Sequence, residues 1–135
     1  MHSELSQIHA AHRSLRQLAR YLRECGEQDV AQAYMEVLRA TEHAFHAEHR
    51  LMEAFDFPAR QCHLEQHARV LRALHCLHPA VMLGAHHPAR HAGGQLLMDW
   101  FHLHNTTLDA ALAVWVGHCA PTLTDQSEIP PDWYR

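Results

Sequence analysis

The sequence contains no lysine. All eleven of its cationic side chains are arginines, and they are scattered singly along the chain. Aspartate and glutamate together number 15, so the formal net charge is -4 with neutral histidines. Proteins that bind nucleic acid ordinarily carry a clustered basic patch, which neutralises the phosphates. The scattered arginines and the acidic balance therefore argue against nucleic acid as a partner.

The chain also lacks any run of about 18 apolar residues, the length that a membrane-spanning helix needs. Residues 1–5 do not show the basic region followed by an apolar run that is typical of a signal peptide. We therefore expect a cytoplasmic protein with no membrane partner. The four cysteines, at positions 25, 62, 76 and 119, form no CxxC pair. In a reducing compartment they are expected to be free thiols.

With 135 residues, 47% of them hydrophobic, the chain is long enough for one domain with a core and too short for two. Apolar residues recur every three or four positions, as in amphipathic helices, in four segments. These segments cover approximately residues 5–25, 30–55, 59–78 and 88–118. Gly26, Pro58 and Pro79 mark the breaks. We predict an all-α fold, an up-down-up-down four-helix bundle over residues 1–118, with a short C-terminal tail over residues 119–135 packed on the bundle or trailing from it.

Imidazole and carboxylate side chains interrupt the apolar faces of these helices at six positions: His12, Glu48, His63, His67, His104 and Asp109. A buried group of this kind costs several kcal/mol unless it is paired, and a bound cation is the usual partner for so many. Glu48 lies nine residues before Phe57, and His63 and His67 lie six and ten after it. Antiparallel helices bring such positions level. The sequence therefore predicts a metal site inside the bundle.

The order and spacing of these residues resemble the hemerythrin and bacteriohemerythrin family of cation-binding helical bundles. The family pattern is a lone His on the first helix, HxxxE on the second, HxxxH on the third and HxxxxD on the fourth. The matching segments are residues 8–12, 45–52, 63–67 and 100–109. The resemblance extends from about residue 8 to residue 116. It implies a four-helix bundle around an oxo- or hydroxo-bridged centre of two iron ions that binds dioxygen reversibly.

The resemblance also implies which residues act. The first iron would be bound by three imidazoles, those of His63, His67 and His104. The bridging carboxylates would be Glu48 and Asp109. The second iron, which binds dioxygen in this family, would be bound by His12. The dioxygen pocket would be lined by Leu15, Trp100 and Phe101.

One expected ligand is missing, because the family's histidine at the start of HxxxE falls on Ala44. Three alternatives are open. In the first, His9, one turn before His12, supplies the imidazole. In the second, His43 supplies it, and the second helix carries a one-residue π-bulge. In the third, no histidine replaces it, and water or an exogenous anion takes the position.

Three functions are compatible with such a site. The first is reversible dioxygen binding for oxygen transport, storage or sensing. The second is a di-iron enzyme acting on peroxide, dioxygen or nitric oxide, which the open position at Ala44 would favour. The third is storage or buffering of iron or another metal. His86, His87 and His91 are expected to be surface or loop residues, and a weak secondary metal site formed by them is the less favoured alternative.

Overall fold

The computed structural model describes residues 2–119, with the backbone alone at positions 2, 3 and 108. This part of the chain is almost entirely helical and has no strand, so the all-α prediction is confirmed for it. Three long helices come first: α1 (His2–Glu24), α2 (Val30–Ala54) and α3 (Arg60–Met82). A fourth helical segment occupies residues 86–119. The arrangement is that of a helical bundle. The predicted tail lies, apart from Cys119, outside the described residues.

The fourth segment is continuous, but it is not uniformly α-helical. It consists of α4 (His86–Ala89), a π-helix (Arg90–Leu96), α5 (Leu97–His104), a second π-helix (Asn105–Asp109) and α6 (Ala110–Cys119). The sequence analysis predicted one regular helix here. The π-helices are therefore a feature that the hydrophobic periodicity did not indicate.

The prediction that the third helix ends at His78 and Pro79 is wrong, because α3 continues to Met82. A proline inside a helix removes one backbone hydrogen bond, and surrounding packing can compensate for this. Termination depends instead on Gly84, two residues after Met82, whose φ of 102° is left-handed. Ala85 donates a backbone hydrogen bond to the Ala80 carbonyl at 3.0 Å, and Gly84 donates one to the Val81 carbonyl at 3.0 Å. These two bonds form a Schellman motif, which terminates the helix.

The apolar core is divided into two clusters of buried side chains. The large cluster includes Leu15, Leu22, Tyr34, Phe45 and Phe101, and the small cluster includes Ile8, Leu51, Met52, Phe57 and Leu112. Along α1, the buried His12 lies between Ile8 and Leu15. Along α2, the buried Glu48 lies between Phe45 and Leu51. The buried polar side chains therefore lie between the two apolar clusters.

Specific hydrogen bonds join the helices. The Tyr34 hydroxyl on α2 donates to the Leu74 carbonyl on α3 at 2.6 Å. The Arg90 guanidinium donates to the Leu22 and Cys25 carbonyls at the end of α1, at 3.0 and 2.7 Å. The end of α1 is thereby tied to the fourth segment, because these carbonyls lack partners within their own helix.

All four cysteines are free thiols, as predicted, and Cys25 is buried while the other three are exposed. Within residues 2–119, no helix has both the length and the apolar character needed to cross a membrane.

Candidate metal centre

Glu48 is the central side chain of the buried polar layer. It lies near the end of α2, and the turn at Phe57 leads into α3, so the first turns of α3 pack beside it. Its Oε2 atom lies 3.0 Å from His63 Nε2 and 2.9 Å from His67 Nε2. The prediction that these three positions lie at the same height is confirmed.

Asp109 joins the layer because of the second π-helix. In an α-helix, five residues turn the chain by about 500°, which leaves residues 104 and 109 about 140° apart. The wider π turn, with i to i+5 hydrogen bonds, brings them to nearly the same face. The His104 Nε2 and Asp109 Oδ1 atoms accordingly lie 3.0 Å apart. The HxxxxD spacing was the signal for this π-helix, and the sequence analysis did not use it.

Five donor atoms converge at the larger of two ligand groups. They are Nε2 of His63, His67 and His104, Oε2 of Glu48 and Oδ1 of Asp109. Six of the contacts among them measure 2.9 to 3.4 Å, including 3.0 Å from His67 to His104 and 3.0 Å from His63 to Asp109. Ligands at right angles around an ion, each at about 2.1 Å, are about 3.0 Å apart. The spacing matches the edges of a coordination shell.

Hydrogen bonds within the protein do not account for this cluster. Among the described residues, both carboxylate oxygens of Asp109 are buried without a hydrogen-bond partner. Two of the Nε2 atoms face each other, so at most one of that pair can donate. A cation at the centre would satisfy lone pairs that no hydrogen bond reaches, because buried polar groups are otherwise costly.

The smaller ligand group consists of His12 and the remaining oxygens of the two carboxylates. His12 Nε2 lies 2.9 Å from Glu48 Oε1 and 4.0 Å from Asp109 Oδ2. Each carboxylate thus presents one oxygen to the smaller group and the other to the larger group. Among the described residues, one set of close ligand atoms that could hold a metal ion comes from Glu48, His63, His67 and His104, and a second comes from His12, Glu48 and Asp109. All six residues that the sequence analysis selected lie in this one buried layer.

The structure also places the residues that were considered as replacements at Ala44. Ala44 is fully buried, one turn before Glu48. His43 is exposed, and α2 is α-helical throughout, so the alternative that required a π-bulge there has no basis in the structure. His9 is half-buried. Among the described residues, neither histidine belongs to the two groups of close ligand atoms.

Aromatic side chains hold the imidazoles in place. Phe45 stacks on His67 with ring centroids 3.8 Å apart, and Trp100 stacks on His104 at 4.4 Å. The Phe101 ring meets His12 edge-on at 4.7 Å. Metal-bound histidines are usually oriented by a hydrogen bond to the second ring nitrogen. For His67 and His104, a stacked aromatic ring orients the imidazole instead of such a hydrogen bond. The sequence analysis did not identify the contact of Phe45 with His67.

The residues expected to line a dioxygen pocket are adjacent to the smaller group or buried in the large cluster. Phe101 is 1% exposed and contacts His12, and Leu15 is 0% exposed, one turn after His12. Trp100 is half-buried and contacts His104. The walls around His12 are therefore apolar.

The carboxylate and imidazole pKa values reflect opposing effects. Burial raises the pKa of Glu48, but hydrogen bonds from four histidines together hold it well below its usual value. Burial lowers the pKa of His104, but the neighbouring Asp109 and Glu48 outweigh it and raise that pKa to about 9. The same two carboxylates outweigh burial at His63 and raise its pKa. Burial prevails at His67, whose pKa is lowered.

These shifts predict how the stability of the metal-free protein depends on pH. A raised pKa means that the folded state binds a proton more tightly, so the stabilisation by His104 is complete below pH 6.5 and is lost as the pH rises through about 9. The stabilisation by Glu48 has the opposite sign and is lost as the pH falls below 4.5. Thermal unfolding of chelator-treated protein should therefore show a falling melting temperature between pH 6.5 and 9. A melting temperature that rises across that interval would contradict the assignment.

His86, His87 and His91, the alternative weak metal site, do not form a cluster like that of the buried polar layer. The His87 and His91 rings stack 6.2 Å apart, and within residues 2–119 the close ligand groups include neither of them nor His86.

Comparison of the chain with protein-family models, curated proteins and solved structures gave no match.

Proposed function

We propose that this chain is a hemerythrin-like, non-haem di-iron protein that binds dioxygen reversibly, for oxygen carriage, storage or sensing. The observation that carries the proposal is that the two oxygens of each buried carboxylate face different ligand groups. Glu48 and Asp109 each direct one oxygen to His12 and the other to the group of three histidines. Carboxylates that bridge two ions have this arrangement. Imidazole and carboxylate ligands suit iron, and a pair of iron ions would supply the electrons for reversible oxygen binding.

The bundle topology that we propose is up-down-up-down. Its support is the short connections, at residues 25–29, 55–59 and 83–85, together with the packing of α1 on α2, of α2 on α3 and of the fourth segment on α1. Short connections favour antiparallel neighbours. Each of the four helical segments carries at least one of the six proposed ligand residues.

The side chains around His12 would favour a carrier over an oxidase. Leu15 and Phe101 are apolar and buried, so they would exclude water from the smaller group. An apolar wall stabilises neutral dioxygen and disfavours the separation of charge that accompanies irreversible oxidation. Phe101 also orients the His12 imidazole, through its edge-on contact.

The test is iron content combined with a visible spectrum. Protein produced with ample iron should retain two iron ions per chain after desalting. An absorption band should appear when oxygen is admitted to the anaerobically reduced protein, and it should disappear when oxygen is removed. One iron per chain, or two that oxidise without a reversible band, would overturn the proposal. Many loosely held ions per chain would favour metal storage instead.

A second candidate function is favoured by Ala44. Because this buried residue carries no ligand atom and His43 is exposed, the smaller group contains a single imidazole. An ion held there would have more open positions than a carrier needs. A di-iron enzyme acting on peroxide, dioxygen or nitric oxide would use such openings for substrate. Turnover of hydrogen peroxide by the iron-loaded protein separates this function from a carrier.

The variant Ala44→His tests the effect of the missing ligand. Residue 44 lies one turn before Glu48 on the same buried face, so the new imidazole should reach the ion beside His12. We expect retention of the second iron to increase by about tenfold or more, and any peroxide turnover to decrease. Metal analysis after dialysis against a weak chelator measures the first effect.

The matched control is Ala44→Leu, which adds similar bulk without a ligand atom. It should cause comparable crowding, of about 1 to 3 kcal/mol in the free energy of unfolding, and no gain in iron. Equal iron retention in the two variants would show that position 44 does not face the smaller group.

A further inference from the structure

A second recess lies between α1 and the fourth segment, apart from the buried polar layer. Its volume is about 340 Å³, which is within the range of small-molecule sites. Three arginines on one side of α1 line it: Arg16, Arg20 and Arg23. No acidic side chain is among the lining residues. In a chain with a net charge of -4, this recess is a local concentration of positive charge.

The guanidinium groups retain donors for a ligand. In the part of the chain that the structure describes, the Arg16 guanidinium has no ion pair or hydrogen bond. Arg23 uses one N–H group, which donates to the Gly94 carbonyl at 2.6 Å. Arg20 contacts Glu24 at 3.4 Å, and both side chains are well exposed, so this pair is weak. Guanidinium groups bind carboxylates and phosphates through paired N–H donors.

The base of the recess is apolar, with one buried amide. Met98 contributes the accessible apolar surface, Phe101 also lines the recess but is only 1% exposed, and Asn105 is 6% exposed. The Asn105 Oδ1 atom is buried and has no hydrogen-bond partner among the described residues. Buried amides are normally satisfied within the protein. The Oδ1 atom only accepts hydrogen bonds, but the Asn105 Nδ2 group also has no hydrogen-bond partner among the described residues and can donate to an acid group in the recess.

We propose that this recess is a binding site for a small organic anion. Its acid group, a carboxylate or a phosphate, binds to Arg16, Arg20 and Arg23, and its apolar part packs on Met98 and on the aliphatic stems of the arginines. Phe101 also contacts His12, at 4.7 Å, so the anion lies one aromatic ring away from the metal centre. The site does not depend on which metal is bound there, nor on the proposed oxygen chemistry.

Calorimetric titration of the full chain tests the proposal, with phenyl phosphate, benzoate and inorganic phosphate as probes. Phenyl phosphate or benzoate should bind with a dissociation constant below about 1 mM, and more tightly than inorganic phosphate, because only the organic probes cover Met98. The tighter of the two organic probes identifies the preferred acid group. Inorganic phosphate binding as tightly as both would overturn the proposed apolar contact.

The variant Arg16→Gln should weaken binding by about tenfold or more, because a charge-assisted hydrogen bond is lost. Since this guanidinium has no described partner, the change should leave the fold intact. The matched control is Arg13→Gln, on the same helix, exposed and not a lining residue. Equal affinities in the two variants, or no binding of any probe by the unmodified chain, would overturn the proposal. The titration is repeated after chelation, so its outcome is independent of the iron analysis.

Discussion

Replacing Glu48 with glutamine is expected to abolish tight metal binding at both ligand groups at once. The amide has nearly the same shape, but it carries no charge and offers only one oxygen. Glu48 Oε1 faces His12 at 2.9 Å and Oε2 faces His63 at 3.0 Å, so the amide nitrogen must replace one of these ligand atoms. We expect iron affinity to fall by about a hundredfold or more. Metal analysis after dialysis measures the loss.

The same substitution should also destabilise the metal-free protein. Glu48 accepts hydrogen bonds from four buried histidines and helps to raise the pKa of His104. Removing one partner of a buried charged pair costs about 3 to 5 kcal/mol. The control is Glu53→Gln on the same helix, where an exposed carboxylate contacts His49 at 3.0 Å. Glu53→Gln should change neither the iron affinity nor the stability of the metal-free protein measurably. If Glu48→Gln retains two iron ions per chain, the two ligand groups do not share this carboxylate.

His104→Ala is expected to lose iron and thermal stability together. His104 contacts Asp109 at 3.0 Å, Glu48 at 3.4 Å and the stacked Trp100 ring at 4.4 Å. Loss of a ligand removes the stabilisation that a bound ion gives to the folded state, about 4 kcal/mol when the ion is present at a thousand times its dissociation constant. For a domain of this size, the melting temperature should fall on the order of 10 °C. His63→Ala should behave in the same way.

His102→Ala is the matched control for His104→Ala, because His102 is two residues away on the same helix and exposed. It should retain iron and the melting temperature of the unmodified chain. Chelation should lower the melting temperature of the unmodified protein and of this control, but it should have little effect on His104→Ala. Full iron content in His104→Ala would show that this imidazole is not a ligand.

Much of the helical architecture was predictable from local patterns. Helices bury one stripe of side chains every three or four residues, so four segments and their approximate ends follow from the sequence. The six polar positions were also identifiable, since imidazoles and carboxylates on apolar faces need a partner. Pro79 was misleading, because a proline disrupts only one turn. The left-handed Gly84, which ends α3, is the better signal.

The sequence by itself determined which side chains are enclosed and at which height, because periodicity and distance from a turn are properties of each helix separately. Tertiary structure alone decided how the carboxylate oxygens divide between His12 and the three histidines, because that depends on side chains from four helical segments meeting at once. It also decided that residues 105–109 form a π-helix, which brings Asp109 to the face of His104. The arginine-lined recess also depends on the tertiary structure, since it lies between helices that are distant in the chain.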